Sequence, residues 1–148
     1  MALLGADLLA GLFSRLGQVE MVMEEEQVLE LTGDDILADI REKFGHQQDG
    51  WPDLADTTQA DRARQGYPAD EPLLREGTLR DAYEVWRDGS DVVVGVRPES
   101  DQAVIAEAQE FGTATIPPRP VLGPTAAEDA HKLPARVWET LDHSAKPR

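Results

Sequence analysis

The sequence predicts an α+β fold. A small antiparallel sheet, built on one β-hairpin, packs against N-terminal and C-terminal helices, with a long loop before the hairpin and an extended proline-rich segment after it. Three observations carry this expectation. Tyr83, Val85 and Arg87 alternate with Glu84 and Trp86, Asp88-Gly89-Ser90 supplies a turn, and 91–96 is β-rich, so 82–87 pairs with 91–96. Ile36, Leu37, Ile40 and Phe44 form one helical stripe. Pro117, Pro118 and Pro120 fix φ and remove backbone donors, which bars their segment from helix interior and central strand alike.

The remaining elements follow in chain order. Leu3, Leu4, Leu8, Leu9, Leu12, Phe13 and Leu16 recur at three- and four-residue spacing, one face of an amphipathic helix over 1–17 that Gly17 stops. That face docks on the protein's own core or on a neighbouring subunit. Residues 18–31 surround the acidic run Glu24-Glu25-Glu26 and read as helix, with 28–31 open to a short strand. Gly33 disfavours helix, and Thr32 or Asp34 can cap a new one over 34–44 that ends at Gly45. A polar, turn-rich connection covers 46–70. It carries one large anchor at Trp51 and a short helix over 57–64 capped by Thr57 or Thr58. Leu79, Ala82 and Tyr83 suggest a helical turn running into the hairpin. Ser100-Asp101 caps a helix over 102–110 that Gly112 stops, and Thr125 caps a last helix over 126–141 that Pro134 kinks or restarts. Residues 143–148 fray. The 148 residues are expected to form a single domain.

Composition narrows the chemistry. Aromatic residues make up only 5% of the chain, so the core rests mainly on Leu, Val, Ile and Ala. The absence of cysteine removes disulfides, thiolate nucleophiles and cysteine zinc sites, and fits a reducing compartment. A net charge of −15 repels nucleic acid phosphates and anionic membranes. The N-terminal apolar stretch is too short to span a bilayer and contains Asp7 and Arg15. His46, His131 and His143 are far apart, and no metal-ligand spacing, phosphate loop or nucleophile–base pattern occurs. Asp88-Gly89-Ser90-Asp91 lacks the alternating acids and final glutamate of a calcium loop, and a hairpin turn accounts for it. Neither catalytic residues, cofactor nor metal is expected. Pro117 to Pro120 also fits P-x-x-P, which opens a second reading: a soluble acidic adaptor module presenting a proline-rich ligand.

Several motifs in order resemble the phage virion morphogenesis (tail completion) family of tailed bacteriophages, akin to neck and head–tail joining proteins. A helix ending in Phe44 precedes Gly50-Trp51-Pro52-Asp53-Leu54 with Thr57-Thr58. Next come Leu73-Leu74-Arg75-Glu76-Gly77-Thr78-Leu79-Arg80-Asp81-Ala82 and a hairpin ending in Val92-Val93-Val94-Gly95. A segment from Ala106 to Gly112 follows, and the series closes with Ile116-Pro117-Pro118-Arg119-Pro120-Val121-Leu122-Gly123. The resemblance covers 36–141. It departs at Gln102-Ala103-Val104-Ile105, where the family usually opens with tyrosine, and in the acidity of the chain.

The resemblance implies a non-enzymatic structural virion protein, assembled in the bacterial host cytoplasm, that acts at the head-proximal end of the tail. Its implied partners are copies of itself in a hexameric ring, a tail tube or tail terminator protein, and a head-completion, stopper or connector protein, with DNA only as cargo through the lumen and no membrane. On this view the candidate contact residues are Phe111, Gly112, Ile116, Pro117, Pro118, Arg119, Pro120, Val121 and Leu122. Trp51, Trp86 of the hairpin, and Leu8, Leu12 and Phe13 of the N-terminal helix join them.

Overall fold

A computed structural model of the chain describes residues 2–4 and 25–144. The architecture is the expected α+β type. Strand β1 (Ala2–Leu4) and the hairpin strands β2 (Tyr83–Asp88) and β3 (Asp91–Val96) form an antiparallel sheet in the order β1-β3-β2. Helices α1 (Glu25–Glu42), α2 (Asp56–Arg64), α3 (Thr78–Asp81), α4 (Ala103–Phe111) and α5 (Leu122–Ser144) complete the fold. Helix α1 lies across β2 and β3 and packs against α5.

The hairpin forms where its alternation and turn chemistry place it, with Tyr83 opposite Val96 and Asp88 opposite Asp91. Gly89 has φ +63° while Ser90 does not enter the left-handed region, which is the glycine-first turn that matches strand twist. Strand β3 is buried from Val92 to Gly95 because it has a neighbour on both edges. Its second neighbour corrects the expected N-terminal helix: Ala2, Leu3 and Leu4 pair with Val94, Val93 and Val92. An exposed strand edge is a row of unsatisfied donors and acceptors, and pairing outweighs the local helical periodicity of this short stretch. Leu8, Leu12 and Phe13 lie outside the described residues, as does the expected stop at Gly17.

Helix α1 corrects a second expectation. It runs unbroken through Thr32-Gly33-Asp34, where the sequence suggested an interruption. A Cβ on Gly33 would come within 2.9 Å of methyls on both Val85 and Val92. The glycine therefore marks a close helix–sheet approach, and its helical cost of about 1 kcal/mol is offset by burial around it. Thr32 does not cap; its hydroxyl donates to Val28 O at 2.7 Å, one turn back. Val28, Leu29, Ile36 and Ile40 form the core face of α1, with Phe44 meeting Tyr83 edge-to-face at 5.5 Å between centroids. Burial pushes the Tyr83 hydroxyl pKa far up, with Glu110 adding to the effect.

Helix α5 begins earlier than expected and continues past Pro134 as one helix. It is tied to α1 by Arg136, which reaches Asp39 on α1 and Asp129 on α5. Asp129 is almost wholly buried, and burial raises its pKa, with Arg136 opposing the shift. No helix among the described residues is long and apolar enough to cross a membrane.

Candidate functional site

Between α4 and α5 the chain must turn back on itself within ten residues, and three of those residues are prolines. The turn is made in two parts. The first, residues 111–118, is an arch. Gly112 ends α4 with φ +75° and ψ 173°, and a Cβ there would lie 2.9 Å from Pro118 Cδ and 3.0 Å from Ile116 O. Glycine is required twice over, by conformation and by space. Thr113 then closes the arch. Its backbone N–H donates to Ile116 O at 2.8 Å, and its hydroxyl oxygen accepts from the N–H of Ile116 at 3.0 Å. The arch is exposed: Phe111 retains 77% of its surface, and Pro117 and Pro118 are also exposed.

The second part, residues 119–123, is an anchor. The Arg119 N–H donates to Gln109 O at 2.6 Å, and its buried guanidinium donates from Nη2 to Pro52 O at 2.9 Å and Asp53 O at 3.1 Å. Burial holds the arginine below its usual pKa, with Asp53 partly offsetting it. Val121 is buried in the core. The start of α5 is capped from α4. Glu110 accepts the N–H groups of Val121 at 2.8 Å, Leu122 at 3.1 Å and Gly123 at 2.8 Å. Pro124 has no N–H to satisfy, and the Thr125 N–H reaches Val121 O at 3.3 Å. All orphan donors of the first turn are thereby accounted for, and the capping carboxylate sits at the positive end of the helix dipole. The expected cap, Thr125, instead donates its hydroxyl to Val121 O at 2.7 Å.

An open groove of about 730 Å³ lies beneath the arch. Its walls come from α2, the loop carrying Leu73, the start of α3, the side of α4 bearing Ile105 and Gln109, and the arch residues Ile116 and Pro117. Two buried arginines line it. Arg119 enters from the anchor, and Arg62 of α2 donates to Pro68 O at 2.8 Å and to Leu74 O. Next to that second contact, Leu73 has φ +61°, rare for a branched side chain, held by the Arg62–Leu74 bond on one side and Gly45 N–H to Pro72 O at 2.9 Å on the other.

The sequence-derived contact residues therefore divide. Phe111, Pro117 and Pro118 are exposed, and Gly112, Ile116, Pro120 and Leu122 are half-buried. Arg119 and Val121 belong to the interior, which corrects their place as contact residues: each is used up holding the fold together. Trp51 is corrected likewise, since it is buried in the hydrophobic core. Trp86 is half-buried with Arg97 over its ring at 4.9 Å. In the P-x-x-P frame Pro117 and Pro118 are exposed, Arg119 is buried and Pro120 is half-buried. Sequence reading missed Glu110 as a cap and Arg62 as a groove residue. The first shows no local spacing signal, and the second sits in a polar loop helix that resembles a solvated one.

Beside the arch, Val104 is 76% exposed and, seven residues before Phe111, shares its face of α4. No group of His, Asp or Glu that could hold a metal ion occurs among the described residues. No family model matches this chain, and neither the curated proteins nor the solved structures yield a match to it.

Proposed function

We propose that this chain is a structural protein of the bacteriophage virion, of the tail-completion type, acting at the head-proximal end of the tail. The observation that carries the reading is the ordered motif series over 36–141, closing in Phe111-Gly112 and Ile116-Pro117-Pro118-Arg119-Pro120-Val121-Leu122-Gly123. Its geometry supports treating those motifs as one unit. The Trp51-Pro52-Asp53 motif and the Arg119 motif meet through the guanidinium, and the Glu110-Phe111-Gly112 motif meets the Val121-Leu122-Gly123 motif through a carboxylate. Residues far apart in sequence are thus spent on holding an exposed, donor-poor arch in a fixed place.

In this role the protein forms a ring with copies of itself, contacts the tail tube or terminator on one side, and meets a head-completion or connector protein on the other. DNA passes through the lumen without specific contact, and the net charge of −15 per copy discourages phosphates from adhering to its wall. The arch and the neighbouring apolar face of α4 are the surfaces offered to partners. Electron microscopy of the purified protein mixed with isolated tails tests the reading. Rings that cap the tails are expected; a protein that forms no ring and binds no tail overturns it.

A further inference from the structure

The groove beneath the arch has an electrostatic character opposite to that of the chain. Arg62, Arg75 and Arg119 line it against Asp53 and Glu76, in a protein whose net charge is −15. In two smaller grooves among the described residues carboxylates prevail: Asp39, Glu42 and Glu128 against Lys43 and Lys132 in one, Asp49 and Glu128 against Lys43 in the other. The two buried arginines of the large groove bond only to backbone carbonyls, and Arg119 Nε is buried without a hydrogen-bond partner. Asp53 offsets the burial of Arg119 only in part, and no carboxylate forms an ion pair with Arg62 or Arg119 among the described residues, so the site gains from an anion.

The hairpin tip has the reverse problem. Asp88 and Asp91 stand directly opposite one another at the turn, where like charges destabilise a cross-strand pair. Neither has a cation within ion-pair distance among the described residues, and Asp88, Gly89 and Ser90 are exposed. The tip is therefore a narrow convex fork of two carboxylates. Topology sets it apart from the groove. Helix α3 feeds directly into Tyr83 and α4 follows Val96, so the groove belongs to the open end of the hairpin. The tip lies at the other end, about 17 Å away along six-residue strands.

We propose that the Asp88-Gly89-Ser90-Asp91 turn of one copy docks in the arginine-lined groove of a second copy. A convex acidic end and a concave basic end on opposite sides of one chain form a heterologous, head-to-tail contact, which closes into a ring when the rotation per copy allows. The pairing deepens and rests on the ring reading above. Arg75, at the rim, paired with Asp61 at 3.2 Å and stacked over Tyr67, is the accessible member of the cationic set.

The experiment is sedimentation velocity on the full chain across concentration and ionic strength. Wild-type protein is expected to associate, less so as salt rises. Replacing both Asp88→Lys and Asp91→Lys keeps the like-charge opposition at the turn, so folding is unaffected by circular dichroism, and weakens association by about tenfold or more. Arg75→Glu alone weakens it as well, and adding Arg75→Glu to the double-lysine variant restores part of the loss. A monomeric wild type at every concentration overturns the pairing, as does a double-lysine variant that associates like wild type, or a lack of recovery in the combined variant. Tail capping by the same proteins separates the two claims: a double-lysine variant that still forms rings on tails removes this contact and leaves the ring reading standing.

Discussion

The two halves of the α4–α5 connection are adjacent in sequence and opposite in physical character. Residues 119–123 are consumed by the fold: Arg119 and Val121 are buried, and the N–H groups of Val121, Leu122 and Gly123 are held by Glu110. Residues 111–118 are closed mainly by local bonds around Thr113 and by prolines that need no donors, and leave Phe111 exposed. The contrast teaches that rigidity here has two sources. The anchor is rigid because distant groups grip it, and the arch is rigid because its own covalent geometry leaves few alternatives. Substitutions in the anchor should therefore act on stability, and those in the arch on contact with partners.

The sharpest test is at Arg119. Arg119→Ala strands two carbonyls of the Trp51 loop in a buried place, and should lower stability by about 3 kcal/mol in denaturant unfolding. Arg119→Lys keeps the charge but cannot span both oxygens, and should fall between the two. A loss under about 1 kcal/mol for the alanine variant would mean that the anchor is not gripped as described.

Gly112 stands where α4 passes into the arch. Gly112→Ala meets both the left-handed φ and a Pro118 ring 2.9 Å from the new methyl, and should cost about 2 kcal/mol. Thermal unfolding measures it. Because the new methyl would meet Pro118 Cδ and Ile116 O, both in the arch, a neutral outcome would show that the arch is not closed as tightly as described. Glu110→Ala comes next, at about 1–2 kcal/mol, the worth of a cap with a favourable charge at a helix start. Hydrogen exchange should accelerate at Val121, Leu122 and Gly123 before any other part of α5, and uniform acceleration along the helix would contradict the capping role.

The division between the halves was only partly legible in the sequence. Prolines announced an extended segment, and the hairpin announced itself, because turn chemistry and two-residue alternation are local signals. What was not legible depends on distant partners. Gly33 reads as a helix breaker until Val85 and Val92 are placed 2.9 Å from its missing methyl. Thr125 reads as a cap until Glu110, on another helix, takes the donors upstream of it. The strand at Ala2–Leu4 exists only because β3 offers an open edge far along the chain. Arg119 inside a proline run looks like a presented charge, and only the carbonyls of Pro52 and Asp53 show that it points inward.

The smallest expected effect on stability is at the two exposed arch prolines, and there it discriminates most. Replacing Pro117→Gly and Pro118→Gly removes no buried contact, since both rings are exposed. The cost comes through the unfolded state, which gains backbone freedom, and amounts to about 1 kcal/mol for the pair. Helix content by circular dichroism should therefore be unchanged. Binding to tails should nevertheless fall, because a softened arch must be ordered again at the moment of contact, and each residue fixed there costs about 1 kcal/mol of backbone entropy. If the double variant binds tails as wild type does, arch stiffness is not what partners read. The exposed face of α4, with Val104 and Phe111, then becomes the surface to alter.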